Sequence, residues 1–212
     1  MEQSSFYKTV THPGAAEHID RRSRFLGLCA PAAGEAEIQE HLVRIRKEHR
    51  DAAHHVYGYR LRAGHIDRFS DDGEPNGTAG MPVLDMLSKS GLTDTLVVVT
   101  RYFGGILLGT GGLVHAYSAA ASAAIAAAGP AVMRRCAVCA VSMPYTQYGR
   151  IGALLAGLAA IEDTVYTDTV TVHLSLPRED LPALQKQLTE ASAGQLTAVT
   201  TGEKWVAFEN SQ

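Results

Sequence analysis

Apolar positions along the chain recur with two periods, and the change from one to the other marks the elements. Residues 6–12, 15–20 and 23–32 read as extended, broken at "HPG" and "RRS". Ile38, Leu42 and Ile45 are spaced for one face of an amphipathic helix over 35–50. "HHVYGYRL" alternates as a strand, "RAGHI" turns, and a second strand ends at Phe69. "GMPVLDMLSKSG" is a short helix stopped by Gly91. "TDTLVVVTRYF" holds the uninterrupted Leu-Val-Val-Val run of a buried central strand. An Ala-rich helix over 112–128 follows and stops at Gly129-Pro130.

Beyond that point the order changes. "RRCAVCAVSMPY" reads as a strand and "TQYGRIGALLAGL" as a helix. "AIEDTVYTDTVTVHLSLP" breaks at Thr167-Asp168 into a hairpin, "REDLPALQKQLTEASAG" is a helix, and "QLTAVTTGEKWVAFE" is extended. The order βαββαβ over 136–210 is the ferredoxin-like pattern. The fold class is therefore α+β in two domains, 1–134 and 135–212, divided at Arg134-Arg135.

Composition narrows the function classes. The 212 residues are 46% hydrophobic and 19% charged, as in ordinary globular chains, and the net charge of -3 opposes a generic nucleic-acid binder. The charge is uneven: residues 1–135 carry 15 basic and 14 acidic groups, the remainder 4 and 8, and seven of nine His precede residue 70. An anionic partner is therefore expected at the N-terminal part. "MEQSSFYKTV" lacks the pattern of a secretory signal. "GLVHAYSAAASAAIAAAG" is mostly Ala and is expected to be buried rather than to span a membrane, so the chain is expected to be cytoplasmic.

Two loops carry candidate chemistry. "FGGILLGTGGL" follows a buried strand and opens a helix, where unpaired N–H groups and the helix dipole favour an anion. Gly104, Gly105, Gly109, Gly111 and Gly112 would admit a phosphate closely, with Arg101 as a bidentate contact. Thr110 stands where a Walker A loop needs Lys, and no G-x-G-x-x-G is present. A loop that merely needs positive φ is the structural alternative. In "SDDGEPNGTAG", Asp71, Asp72 and Glu74 have the oxygen donors for Mg²⁺. The Asp-Gly and Asn-Gly steps favour a turn instead, with Thr78 capping the helix from Gly80 and the acids pairing with Arg24 or Arg101. No metal and no cofactor is expected. Cys136 and Cys139 have metal spacing but lie three apart on a strand with no second pair, and are expected to be core. His54 and His55 point to opposite faces of a strand, with Ser70 or Asp71 as conceivable partners.

"FSDDGEPNGTAGMPVL" and "VVVTRYFGGILLGTGGLVHAYSAAA", preceded by "RRSRFLG" and "HHVYGY", resemble the YigZ/IMPACT family, bacterial two-domain type, over nearly the whole chain. The resemblance implies an N-terminal domain like the second domain of ribosomal protein S-five and a ferredoxin-like C-terminal domain. Together they are similar to the fourth and fifth domains of elongation factor G. Eukaryotic relatives regulate translation through an additional N-terminal RWD domain, and the family motif here begins near residue 20, so that partner function does not transfer. The family has no established catalytic residue. Both loops are its signature: Ser70, Asp71, Asp72, Gly73, Glu74, Gly77 and Thr78 in one, and the glycines with Arg101 and Tyr102 in the other.

The leading expectation is a non-enzymatic, translation-linked protein that binds RNA or the ribosome. Arg24, His54, His55, Arg101, Tyr102, Gly104, Gly105, Gly109, Thr110, Gly111 and Gly112 would meet phosphate, with Tyr57, Tyr59 or Tyr102 stacking on bases. The first alternative is an enzyme that holds a small-molecule or nucleotide phosphate, related in fold to sugar and mevalonate-type kinases. The second is a protein–protein module acting through the acidic C-terminal domain. No membrane partner is expected.

Overall fold

The structure, a computed structural model, describes residues 5–209. It forms two compact units, one of residues 7–132, the other of residues 5–6 and 133–208.

The N-terminal unit contains β1 (Phe6–Val10), β2 (Gly14–Asp20), β3 (Ser23–Pro31), α1 (Glu35–Glu48), β4 (His54–Leu61), β5 (Ile66–Ser70), α2 (Gly80–Ser90), β6 (Thr95–Tyr102) and α3 (Gly109–Ala128). Its main sheet has the order β2-β3-β6-β4-β5, antiparallel throughout. The apolar run Leu96–Val99 lies at its centre and is fully buried because both faces are covered. Period-2 alternation sends Val97 and Val99 to one face with Phe25, Cys29 and Val56, under α2 and α3. Leu96 and Val98 go to the other, where Ile38, Leu42 and Ile45 of α1 cover them with Tyr59 and Leu61.

Helix α3 is 20 residues long and apolar enough to cross a membrane by length and composition. Here Ala116, Ala120, Ala121, Ala124 and Ala128 are fully buried in the core, because a small side chain every third or fourth residue lets the helix lie close on β2 and β3. It begins at Gly109, three residues earlier than the sequence pattern suggests. The two glycines at 111 and 112 hide that first turn, because glycine is a poor helix former.

The C-terminal unit contains β7 (Pro130–Met143), α4 (Tyr145–Leu158), β8 (Ala160–Tyr166), β9 (Val170–Pro177), α5 (Leu181–Ala191) and β10 (Val199–Glu209). Within it β9 pairs antiparallel with both β7 and β8, and β10 pairs with β7. Cys139, Val141, Val172 and Leu174 of the sheet pack on Ile151, Leu155, Leu184 and Leu188 of the two helices. All three cysteines are free and buried, and burial pushes the Cys29 thiol up to about 12, far from a nucleophile at neutral pH.

Candidate functional site

The acidic loop is held by its own carboxylates, each with a separate task. Asp71 accepts hydrogen bonds from the N–H groups of Gly77, Ala79 and Gly80 at 2.9, 3.1 and 2.7 Å, which makes it the side chain that caps α2. This corrects the expectation for Thr78, whose hydroxyl donates instead to the Pro75 carbonyl at 2.7 Å. Asp72 accepts from the His55 N–H at 2.6 Å and so pins the loop to the start of β4.

Glu74 turns inward. Its side chain is 4% exposed and accepts from Arg101 Nη1 at 2.6 Å and from the Tyr117 hydroxyl at 2.7 Å. Burial, aided by the bond to Glu74, pushes the Tyr117 phenol far above its usual value, so it remains a donor at any working pH. Arg101 is itself 5% exposed, with its guanidinium 5.4 Å from the Phe25 ring centroid and 5.6 Å from that of Phe103. Its Nε is buried with no hydrogen-bond partner among the described residues. The two loops, 27 residues apart, thus meet at one buried ion pair. His54 Nδ1 lies 2.8 Å from the Asp72 carbonyl oxygen, which can only accept, so Nδ1 carries the proton and Nε2 is left 3.8 Å from Glu74.

Above this pair opens a cavity of about 500 Å³. His54, Glu74 and Arg101 form its polar part; Ala53, Pro75, Phe103, Leu107, Leu108 and Leu113 form its apolar walls; Gly109 and Thr110 bring in the first turn of α3. Phe103 is 51% exposed and Leu107 81%, so the rim is apolar and open to solvent. Three glycines of this loop are required by the backbone, among them Gly105 at φ +82°. A Cβ at Gly104 would lie 2.1 Å from the Arg22 carbonyl carbon, and Gly109 has φ +76°. Gly111 differs: its φ is ordinary and a Cβ there would meet nothing within 4 Å. The fold gives no reason for a glycine at that helical position, which leaves bare, exposed backbone at the N-terminus of α3.

The residues expected to form one phosphate and base surface divide between two faces of the sheet, because adjacent strand residues alternate. His54 and Arg101 lie on the α2–α3 face, where Arg101 is neutralised by Glu74 rather than free for phosphate. Tyr102 lies on the α1 face, 2.9 Å from His49 Nδ1, with Arg24 5.9 Å over its ring. Arg24 pairs with its neighbour Glu17 at 2.6 Å, not with the acidic loop. His55 shares the α1 face; its Nε2 donates to the His49 carbonyl at 3.1 Å, and burial lowers its pKa below the ordinary value. Tyr59 is 7% exposed in the α1 core and donates to Glu35, so it is unavailable for stacking. The partners of the histidines are Asp72 and Glu74 rather than Ser70 or Asp71. What the sequence reading misses is the wall of Phe103, Leu107 and Leu108. The signal was present in "FGGILL", whose apolar residues face no predicted core.

Fold and paired loops together define a two-domain α+β protein whose distinguishing motifs converge in the N-terminal unit. Residues 21–125 match the Impact N-terminal domain and residues 141–195 a domain of unknown function, DUF1949. The IMPACT family member YvyE of Bacillus subtilis is 35% identical over 89% of this chain and 88% of its own length. The family member in the pol 5' region of Thermus thermophilus is 39% identical over 84% and 98%. YigZ of Escherichia coli is 34% identical over 86% and 92%. A crystal structure described as that of a hypothetical protein superposes with a TM-score of 0.61 at 31% identity, covering 95% of this chain and all of the other. The chain belongs to the IMPACT family.

Proposed function

We propose that this chain is a cytoplasmic, translation-linked RNA-binding protein that takes one extruded nucleotide of structured RNA, at the ribosome, into the cleft of its N-terminal unit. The observation that carries the reading is the cavity in which an apolar, aromatic-edged wall and an exposed helix N-terminus share one opening. The N–H groups of the first turn of α3 have no intrahelical acceptor and suit a phosphate. Phe103 and Leu107 suit an unstacked base, the form in which RNA sequence is usually read. In this reading Arg101 does not touch RNA; locked to Glu74, it sits under Phe103 and holds the wall. The nearly neutral unit predicts weak affinity for arbitrary RNA, so shape and a splayed nucleotide carry the recognition.

Two further points support the reading. The C-terminal unit has the order βαββαβ, with β9 between β7 and β8 and with β10 paired to β7, which supports a ferredoxin-like reading of it. With an N-terminal unit like the second domain of ribosomal protein S-five, the pair would be similar to the ribosome-facing domains of elongation factor G. One observation favours a second reading, a nucleotide-phosphate enzyme: the cavity volume lies within the roughly 300–1,000 Å³ of small-molecule sites.

Fluorescence anisotropy of labelled ribosomal RNA hairpins, with and without a bulged nucleotide, separates the two readings. Preference for the bulged hairpin, lost in Phe103→Ala and Thr110→Glu, is the expected result. Equal, weak binding of both hairpins, together with thermal stabilisation by a free nucleotide, would replace the RNA reading with the enzyme reading.

A further inference from the structure

Away from the cleft, three side chains with metal-binding atoms converge where β2 meets α3. His18 and Asp20 are two residues apart on β2, the edge strand of the main sheet, so both leave it on the same side. That side is the one that α3 covers, since His18 pairs in register with the buried Phe25. His115 comes from the second turn of α3, and the ligand atoms of the three all lie within 4.8 Å of one another. The ring centroids of His18 and His115 are 6.3 Å apart.

All three are uncommitted. His18 Nε2 is buried and has no hydrogen-bond partner among the described residues, although a buried ring nitrogen is ordinarily satisfied. No hydrogen bond or ion pair engages the side chain of Asp20 or His115 among the described residues. The acidic loop shows the contrast: there Asp71, Asp72 and Glu74 are all occupied with backbone N–H groups or buried donors.

We propose that His18, Asp20 and His115 form a binding site for a divalent transition ion of the zinc type. Two imidazoles and one carboxylate are nitrogen and oxygen donors suited to Zn²⁺, which holds them at about 2.0–2.2 Å. His115 is the exposed member of the set, and its ligand atom lies within 4.8 Å of those of His18 and Asp20. Three protein ligands leave a coordination position for water or for a ligand from outside. The ion would also tie the edge strand to the helix that carries the glycine turn.

Calorimetric titration of the whole protein with Zn²⁺, and visible absorption with Co²⁺, test the site. One ion per chain is expected, with a Co²⁺ spectrum free of thiolate charge transfer because Cys29, Cys136 and Cys139 are buried. His18→Gln and His115→Gln should each weaken binding by at least the roughly 10–100-fold that loss of an outer-shell partner costs. His41→Gln, on α1, should leave it unchanged. The melting temperature of each variant without metal shows whether it is folded, and Asp20→Ala, which removes the carboxylate altogether, gives an independent ligand deletion. Absence of binding, or binding that all three ligand variants retain, would overturn the proposal.

Discussion

Replacing Glu74 by Gln tests whether the two signature loops are joined through charge. The amide keeps the shape and can still accept from Tyr117, so packing and that hydrogen bond are largely preserved. What is lost is the anion beside Arg101, whose side chain is 6% exposed and 2.6 Å away. Removing one member of a buried pair leaves a buried, uncompensated charge and destabilises by about 3–5 kcal/mol. Tyr117→Phe removes only a neutral donor from a charged acceptor, about 1.5–3 kcal/mol. Arg101→Met with Glu74→Gln should recover part of the loss, because no charge is then buried alone. Trp205, the single tryptophan, belongs to the C-terminal unit, so tryptophan fluorescence would report that unit. Hydrogen exchange of the β6 and α3 amides in increasing denaturant reads the N-terminal unit. A loss below about 1 kcal/mol for Glu74→Gln, the size of a surface pair, would refute the reasoning.

Other expectations follow from single contacts. Asp71→Ala removes the acceptor for three N–H groups and should destabilise by about 0.5–2 kcal/mol, with faster exchange confined to the start of α2. Gly104→Ala should be poorly tolerated, since its methyl would overlap the Arg22 backbone; expression and melting temperature report it. Gly111→Ala should do the opposite, stabilising α3 by about 0.5–1 kcal/mol while weakening RNA binding. His55 is held below its unfolded pKa by burial, so the unfolded state binds more protons as pH falls. Its contribution to stability is therefore present above the unfolded value and lost as pH drops through that value towards the lower folded one, and His55→Gln should flatten the stability–pH curve there.

Much of the fold was legible because each element carries its own period. Ile38, Leu42 and Ile45 announce α1, and the run Leu96–Val99 announces a strand buried on both faces. Alternation also tells that Arg101 and Tyr102, or His54 and His55, part to opposite faces. It cannot tell which face α3 covers, because that depends on contacts between residues far apart in the chain. The Arg101–Glu74 pair was one of two conceivable partnerships; Arg24, the other candidate, is claimed by Glu17, seven residues away across the β2–β3 turn. Glycine was ambiguous for a similar reason. The letters do not distinguish Gly104, forced by a neighbouring backbone, from Gly111, which nothing in the fold requires. His18, Asp20 and His115 have no motif spacing at all, since the ligand set exists only after α3 lies on β2.

We propose that the cleft between the two loops engages RNA at the ribosome. The most direct measurement of this is sedimentation of the intact protein with ribosomes at low and moderate salt, comparing wild type with Thr110→Glu. Thr110 is the better probe than Arg101, because it is exposed on the first turn of α3, whereas replacing Arg101 disturbs the buried pair. Salt-sensitive co-migration of the wild type, lost in the variant while its melting temperature is unchanged, is the predicted result. Absence of co-migration at every salt concentration, or equal co-migration of a folded Thr110→Glu protein, would contradict it.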